Sequence, residues 1–171
     1  MNESERASVP ASGRATVERI SARELVVRRV INGPARLVFE AWTNPVLFQR
    51  WWVPKAAPIT LLACELDVRV GGKYRLLFGI HGSDQQMEFF GRYLEVVPSS
   101  RIVWTNDEGE EGGAITTVTF EEEGGRTHVI VHDLYPSAEA LEAAIASGST
   151  EGMPEQLEQL EELVVSGRAE A

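Results

Sequence analysis

The side chains with the widest chemical range in this sequence are its three histidines, His81, His128 and His132, which titrate nearest neutral pH and can serve as acid, base or metal ligand. His128 and His132 stand four apart in "THVIVHDL", a β-branched run that reads as a strand. They therefore share a face but lie about 13 Å apart along it, too far to ligate one ion directly. His81 opens "HGSDQQ" after an alternating run, which sets it in a loop at a sheet end. Asp133 and the run Glu121-Glu122-Glu123 offer carboxylates for an acid–base pair, although the run reads first as a solvated strand end. Cys64 is the only cysteine, so no internal disulfide forms, and its setting in "TLLACELDV" predicts a small buried thiol rather than a nucleophile. The sequence contains no phosphate-binding glycine loop, no GxSxG elbow, no HExxH and no CxxC. No catalytic residue, metal ligand or cofactor is assigned on this basis.

Aromatic residues are the stronger signal. The stretch "EAWTNPVLFQRWWVP", residues 40–54, holds three of the four tryptophans. Trp42 lies on the helical stripe of Val38, one turn on, and is expected in the core. Trp51 and Trp52 are consecutive, and neighbours on a helix point about 100° apart, so one faces inward and the other looks to a cavity rim or a partner. Phe78, Phe89, Phe90, Tyr93 and Trp104 fall on strands, and about half of them are expected to line a pocket, with Met153 and Leu157 opposite on a helix. Asp67 and Arg69 in "DVRVGG" share a strand face beside a turn, the arrangement of an ion pair or hydrogen-bond anchor that fixes a hairpin; an Arg69 facing a cavity would instead bind an acidic ligand.

The elements that position these residues can be read from periodicity. "RELVVRRVI", residues 23–31, alternates as a strand, with Leu25, Val27, Arg29 and Ile31 on one face. Pro34 suits a first helical position with Asn32 as cap, and Asn44-Pro45 divides the helical stretch after it into two short helices. From Ile59 to Leu134 the period becomes that of about six consecutive antiparallel strands, separated by turn signals such as Gly71-Gly72 and Gly124-Gly125. Ser137 caps a helix that Gly148 breaks. In "STEGMPEQLEQLEELVVS" Met153, Leu157, Leu160 and Val164 form one stripe, and Glu155, Glu158, Glu161 and Glu162 fall largely on the other side. Strands in series with helices at the ends define an α+β fold, in which a curved antiparallel sheet is covered by the long C-terminal helix.

A chain of 171 residues with 43% apolar content suits one domain. We expect it at residues 21–167, with a mobile N-terminal tail at 1–20 and a short C-terminal tail at 168–171. The formal charge of −10 argues against nucleic acid as a partner, and the acid is concentrated in residues 137–171, with eight Glu and one Arg. Neither a secretory h-region nor a membrane-length apolar run is present, and with the lone thiol this points to a cytoplasmic location.

"RVINGPARLVFEAWTNPVLFQRWWVP" resembles the opening of the SRPBCC (START-like) superfamily, in the branch named after the activator of the heat-shock protein 90 ATPase. "ELDVRVGGKYRLLF", "GRYLEVVPSSRIVWT" and "YPSAEALEAAIASGSTEGMPEQLEQLEELV" resemble its next blocks in order. The resemblance implies a helix-grip fold, with a curved sheet wrapped round a C-terminal helix and a deep apolar cavity between them. Bacterial members of this branch are mostly single-domain proteins of unsettled function; relatives elsewhere in the superfamily bind lipids, hormones or polyketides, or act as aromatase/cyclases.

Binding of a small hydrophobic molecule or lipid is the resulting expectation, with Trp51, Trp52, Phe78, His81, Phe89, Tyr93, Trp104, His132, Met153 and Leu157 as ligand-binding residues. The alternatives are a cyclase or dehydratase using His81 or His132 with Tyr93 as acid and base, and a co-chaperone-like interaction protein presenting an acidic helix and an exposed tryptophan. Homodimerisation through such a tryptophan or a sheet edge is also compatible with the sequence.

Overall fold

The β-branched alternation that begins at residue 23 produces the strand on which the rest is assembled. The computed structural model describes residues 15–107, 113–148 and 150–170. Among the described residues eight strands form one antiparallel sheet: β1 (Thr16–Arg19), β2 (Glu24–Ile31), β3 (Ile59–Leu66), β4 (Lys73–Ile80), β5 (Gln86–Val97), β6 (Arg101–Thr105), β7 (Ile115–Glu123) and β8 (Arg126–Leu134). Their spatial order is β1-β2-β8-β7-β6-β5-β4-β3, so β3 to β8 run as a meander and β2 closes against the last strand. Helices α1 (Ala35–Thr43) and α2 (Pro45–Phe48) come after β2, and α3 (Ala138–Ser147) and α4 (Met153–Glu170) end the chain. None of these helices is long and apolar enough to cross a membrane.

Two differences from the sequence expectation concern the ends. Thr16–Arg19, expected within a mobile tail, pairs with Leu25–Arg28 as edge strand β1. All four of its residues are exposed, so it carries no apolar alternation to reveal it and is held by backbone pairing. The rest of the expected tail, residues 1–14, lies outside the described residues. At the other end α4 continues through Glu170, past the expected boundary at 167.

The sheet curves sharply at β5. Residues 86–92 of this long strand pair with β4, whereas residues 93–97 pair with β6, with a register shift between Tyr93 and Glu95. At the bend a Cβ on Gly91 would stand 2.0 Å from the carbonyl oxygen of Thr105. Only glycine permits so close an approach of two backbones.

Helix α1 opens differently from expectation. Pro34 is the extended residue before the helix, with no capping side chain of its own. The Glu122 carboxylate, at the end of β7, accepts the Ala35 amide hydrogen bond at 2.8 Å, and so one residue of the acidic run serves as a cap from across the fold. The Asn32 amide instead donates to Glu161 of α4, 2.9 Å away. At α2 the expectation and the geometry agree: Asn44 accepts from the Val46 amide, with Pro45 at the first helical position.

Helix α4 lies in the concave face. Leu157, Leu160 and Val164 join Val38 and Trp42 of α1, Val27 and Ile31 of β2, and Val118, Phe120, Val129 and Val131 of β7 and β8 in one core. Its polar residues tie the molecule together. Glu161 pairs with buried Arg29 of β2 at 2.7 Å. The Gln159 side-chain amide donates to the carbonyls of Trp51 (2.9 Å) and Val53 (2.8 Å) and accepts from the Lys55 amide, while Gln156 donates to the Trp52 carbonyl. These bonds satisfy backbone groups of an irregular segment that makes no helix or strand of its own.

Candidate functional site

Between the concave sheet, α1, α2 and the start of α4 lies a cavity of about 430 Å³, inside the range of about 300–1,000 Å³ found for small-molecule sites. Each wall comes from a different element: Leu25 and Val27 from β2, Trp42 and Phe48 from α1 and α2, Tyr74 and Leu76 from β4, Ile102 and Trp104 from β6, and Met153 and Gln156 from α4.

Five of the ten residues expected to bind a ligand meet on this wall: Trp52, Phe89, Tyr93, Trp104 and Met153. The other five lie elsewhere. Trp51 is wholly buried, and its indole donates to the Ala41 carbonyl at 2.9 Å, which makes it the structural member of the pair. Phe78 is in the core, edge-on to Phe89, and Leu157 is buried beneath the cavity-lining part of α4. His81 is exposed in the turn after β4, its ring nitrogen 2.8 Å from the Thr60 hydroxyl. His132 pairs with Glu24 at 2.8 Å away from the cavity wall, because its neighbour Asp133 takes the inward position on β8. The hydrogen bonds of His132 and then Ser21 hold the Glu24 carboxyl below the usual range. An acid–base pair built on His81 or His132 therefore has no imidazole in the cavity.

The tryptophans form one aromatic cluster. Trp42 packs against Trp51 (4.7 Å between ring centres), Trp52 (5.9 Å) and Trp104 (5.7 Å), and Trp52 stacks on Phe48 at 4.6 Å. Edge-to-face and offset contacts of this kind hold rings in fixed orientations. The cluster is thus both core and wall, with Trp51 on the core side and Trp52 on the cavity side.

The polar groups of the site form one connected chain. Tyr74 donates to the Thr105 carbonyl at 2.8 Å and approaches the Asn106 side-chain oxygen at 3.3 Å. Asn106 donates to the Ala114 carbonyl (2.7 Å) and to the Thr116 hydroxyl (3.1 Å), and Thr116 in turn donates to Oδ1 of Asp133 at 2.5 Å. All four residues line the cavity. Sequence reasoning passed over Tyr74, Asn106 and Thr116 as sites. The available signal was register, since Thr116 and Asp133 are directly opposite on β7 and β8 and so share a face.

Asp133 opens onto the cavity but is otherwise enclosed by protein, and this desolvation pushes its carboxyl above the usual carboxylate range, partly offset by the Thr116 hydrogen bond. Burial, then the nearby Asp133 charge, pushes the Tyr135 phenol up to about 12, and burial raises Tyr93 as well. Cys64, half-buried on β3, has its thiol pushed up to about 11 chiefly by burial, which suits an inert structural role. Arg69 and Asp67 form an ion pair at 3.0 Å, both exposed, within the turn between β3 and β4 and away from the cavity wall.

Asp133 makes a testable contribution to pH dependence. A carboxyl whose folded pKa lies above its unfolded value binds more protons in the native state, so stability falls as pH rises from the unfolded pKa, about 3.9, through the folded one. Replacing Asp133 with Asn should remove this component, and the variant should gain stability over wild type as pH rises from 4 towards 8, read from urea midpoints across that range. An unchanged difference at every pH would count against a desolvated carboxyl.

A curved antiparallel sheet gripping a C-terminal helix, with an apolar cavity between, defines the helix-grip class. Residues 32–165 match the family described as Activator of Hsp90 ATPase homolog 1-like protein, and the chain belongs to that family, within the SRPBCC (START-like) superfamily. Solved structures agree. A crystal structure of a Chromobacterium violaceum protein is 32% identical, with a TM-score of 0.68, over 84% of this chain and 98% of that one. A Nitrosomonas europaea protein matches at 22% identity and a TM-score of 0.78, over 88% and 99% of the two chains. An AHSA1-like protein from Aeromonas hydrophila, solved by NMR, matches at 19% identity and a TM-score of 0.67, over 84% and 93%. No curated protein matches the chain.

Proposed function

We propose that this protein binds a small apolar molecule in the cavity between its sheet and helices. The observation that carries the reading is the cavity itself: about 430 Å³, walled by Trp42, Phe48, Trp52, Phe89 and Trp104, with one connected set of polar groups. That combination, apolar walls with a few placed polar atoms, is how small-molecule sites obtain affinity and orientation together. Membership of a superfamily in which hydrophobic ligands are common supports it. Native mass spectrometry of the purified protein, with tryptophan fluorescence titrations against a panel of aromatic and fatty ligands, tests the reading. Saturable binding at one site is expected. A crystal structure with the cavity filled by side chains, together with no saturable ligand, would overturn it.

One observation favours a second reading, a cyclase- or dehydratase-type enzyme. Asp133 faces the cavity, and burial pushes its carboxyl above the usual carboxylate range, the direction that favours a role as proton donor or acceptor. In that reading Asp133 takes the role first considered for the histidines. For the interaction-protein reading the acidic helix remains, while Trp51 is wholly buried and Trp52 is partly buried against Trp42 and Phe48.

A further inference from the structure

The cavity wall carries its charge asymmetrically. Its one carboxyl is Asp133, and among the described residues no Lys, Arg or His lines the space. Oδ1 of Asp133 is occupied by the Thr116 hydroxyl, whose own lone pair takes the Asn106 amide, and Asn106 is in turn committed to the Ala114 carbonyl. Hydrogen bonding within the wall therefore ends at Asp133, and its Oδ2 takes no hydrogen bond among the described residues. Tyr74 is also spoken for, since it donates to the Thr105 carbonyl.

From this geometry we infer that the cavity selects apolar ligands bearing a basic amine, with the ammonium group seated on Oδ2 of Asp133 and the apolar body against Trp52, Trp104 and Phe48. The inference rests on the cavity-binding reading and adds the chemical class of its ligand. Three physical arguments support it. A carboxylate ligand would set like charge beside Asp133 with no cation in the wall to separate them, whereas an ammonium gains both a charge-assisted hydrogen bond and an opposite charge in a poorly solvated space. Burial disfavours the ionised form of Asp133, and an ammonium on Oδ2 would offset that cost, whereas an anion or an apolar group on the same atom would not. The protein's net charge of −10 adds a long-range attraction of the same sign.

The test uses three probes that share one ring system: naphthylmethylamine, methylnaphthalene and naphthoic acid, titrated into the wild-type chain by calorimetry. The amine should bind roughly tenfold tighter than methylnaphthalene, as one charge-assisted hydrogen bond predicts, and the acid weakest of the three. In Asp133→Asn the ratio of amine to methylnaphthalene affinity should collapse to about one. A second measurement needs no variant. In the wild-type protein the amine should shift the NMR resonances of the Thr116 backbone and the Asn106 side-chain amide well beyond the shifts methylnaphthalene produces. Methylnaphthalene binding with no preference for the amine, or with a preference for the acid, would overturn the inference and leave the cavity reading standing. An amine preference that survives in Asp133→Asn would overturn the assignment to Asp133. Failure of all three probes to bind would overturn both.

Discussion

Replacing Glu161 with Ala should lower the stability of this protein by up to about 3–5 kcal/mol, the range for removing one partner of a buried ion pair. The Arg29 side chain is 5% exposed and that of Glu161 13%, so solvent offers little replacement for the lost carboxylate. The same residue also accepts the Asn32 amide at 2.9 Å, so its loss loosens the connection from β2 into α1 as well as the docking of α4. Glu161→Gln should cost less, because an amide oxygen can still accept from Asn32. The double change Arg29→Met with Glu161→Leu should recover most of the loss, since apolar side chains of similar size often replace a buried pair without penalty. Urea denaturation reads all three variants, with the midpoint moving and the slope constant if the native fold is kept. A Glu161→Ala midpoint within about 0.5 kcal/mol of wild type, the range of ordinary surface substitutions, would mean the pair is solvated in solution.

The same residue shows what the sequence could and could not convey. Helical periodicity grouped Glu161 with Glu155, Glu158 and Glu162 as a solvent face, which is how acidic residues on an amphipathic helix are normally read. Periodicity records where a side chain starts, and a glutamate at the edge of the apolar stripe can turn either way. The clue lay on another element: Arg29 alternates with Leu25, Val27 and Ile31 on the inward face of β2, and an inward arginine requires a carboxylate from whatever covers it. Pairing those two facts needs the tertiary arrangement. The α+β order, the two short helices, the meander and the gripping helix were legible because each rests on local chemistry and period. Edge strand β1 was not, since a fully exposed strand has no alternation to display.

The site divides the same way. Its aromatic wall was half visible, because large aromatics on alternating strands must face either the core or a cavity, yet alternation cannot distinguish a cavity from filled core. Phe78 and Phe89 illustrate this: they meet edge-on, but only Phe89 reaches the open space. The polar network was invisible for a different reason. Asn106, Thr116 and Asp133 are distant in sequence and ordinary when taken singly; β-sheet register brings Thr116 opposite Asp133, and Asn106 reaches that pair from the end of β6.

The adjacent tryptophans should separate cleanly under mutation. Trp51→Ala should cost about 3–5 kcal/mol, the usual penalty for removing a large buried aromatic, since Trp51 is wholly enclosed and its indole is the hydrogen-bond partner of the Ala41 carbonyl at the end of α1. Trp52→Ala should be milder for stability, because the ring is partly uncovered and its loss enlarges a space that already exists rather than opening a new one. Its effect belongs to binding. Trp52 stacks on Phe48 and stands edge-on to Trp42, so removing it takes away one face of the aromatic wall and frees the other two rings to move. Methylnaphthalene affinity should fall by roughly tenfold or more, the value of about 1.4 kcal/mol of lost contact. Urea midpoints and calorimetric titrations on the two variants supply both coordinates of the comparison. If Trp52→Ala proved as destabilising as Trp51→Ala while binding held at the wild-type level, Trp52 would belong to the core rather than to the cavity wall. If instead stability and affinity separate as the geometry requires, the pair "WW" is a single sequence feature with two functions. The first tryptophan locks α1 to the turn after α2, and the second borders the cavity.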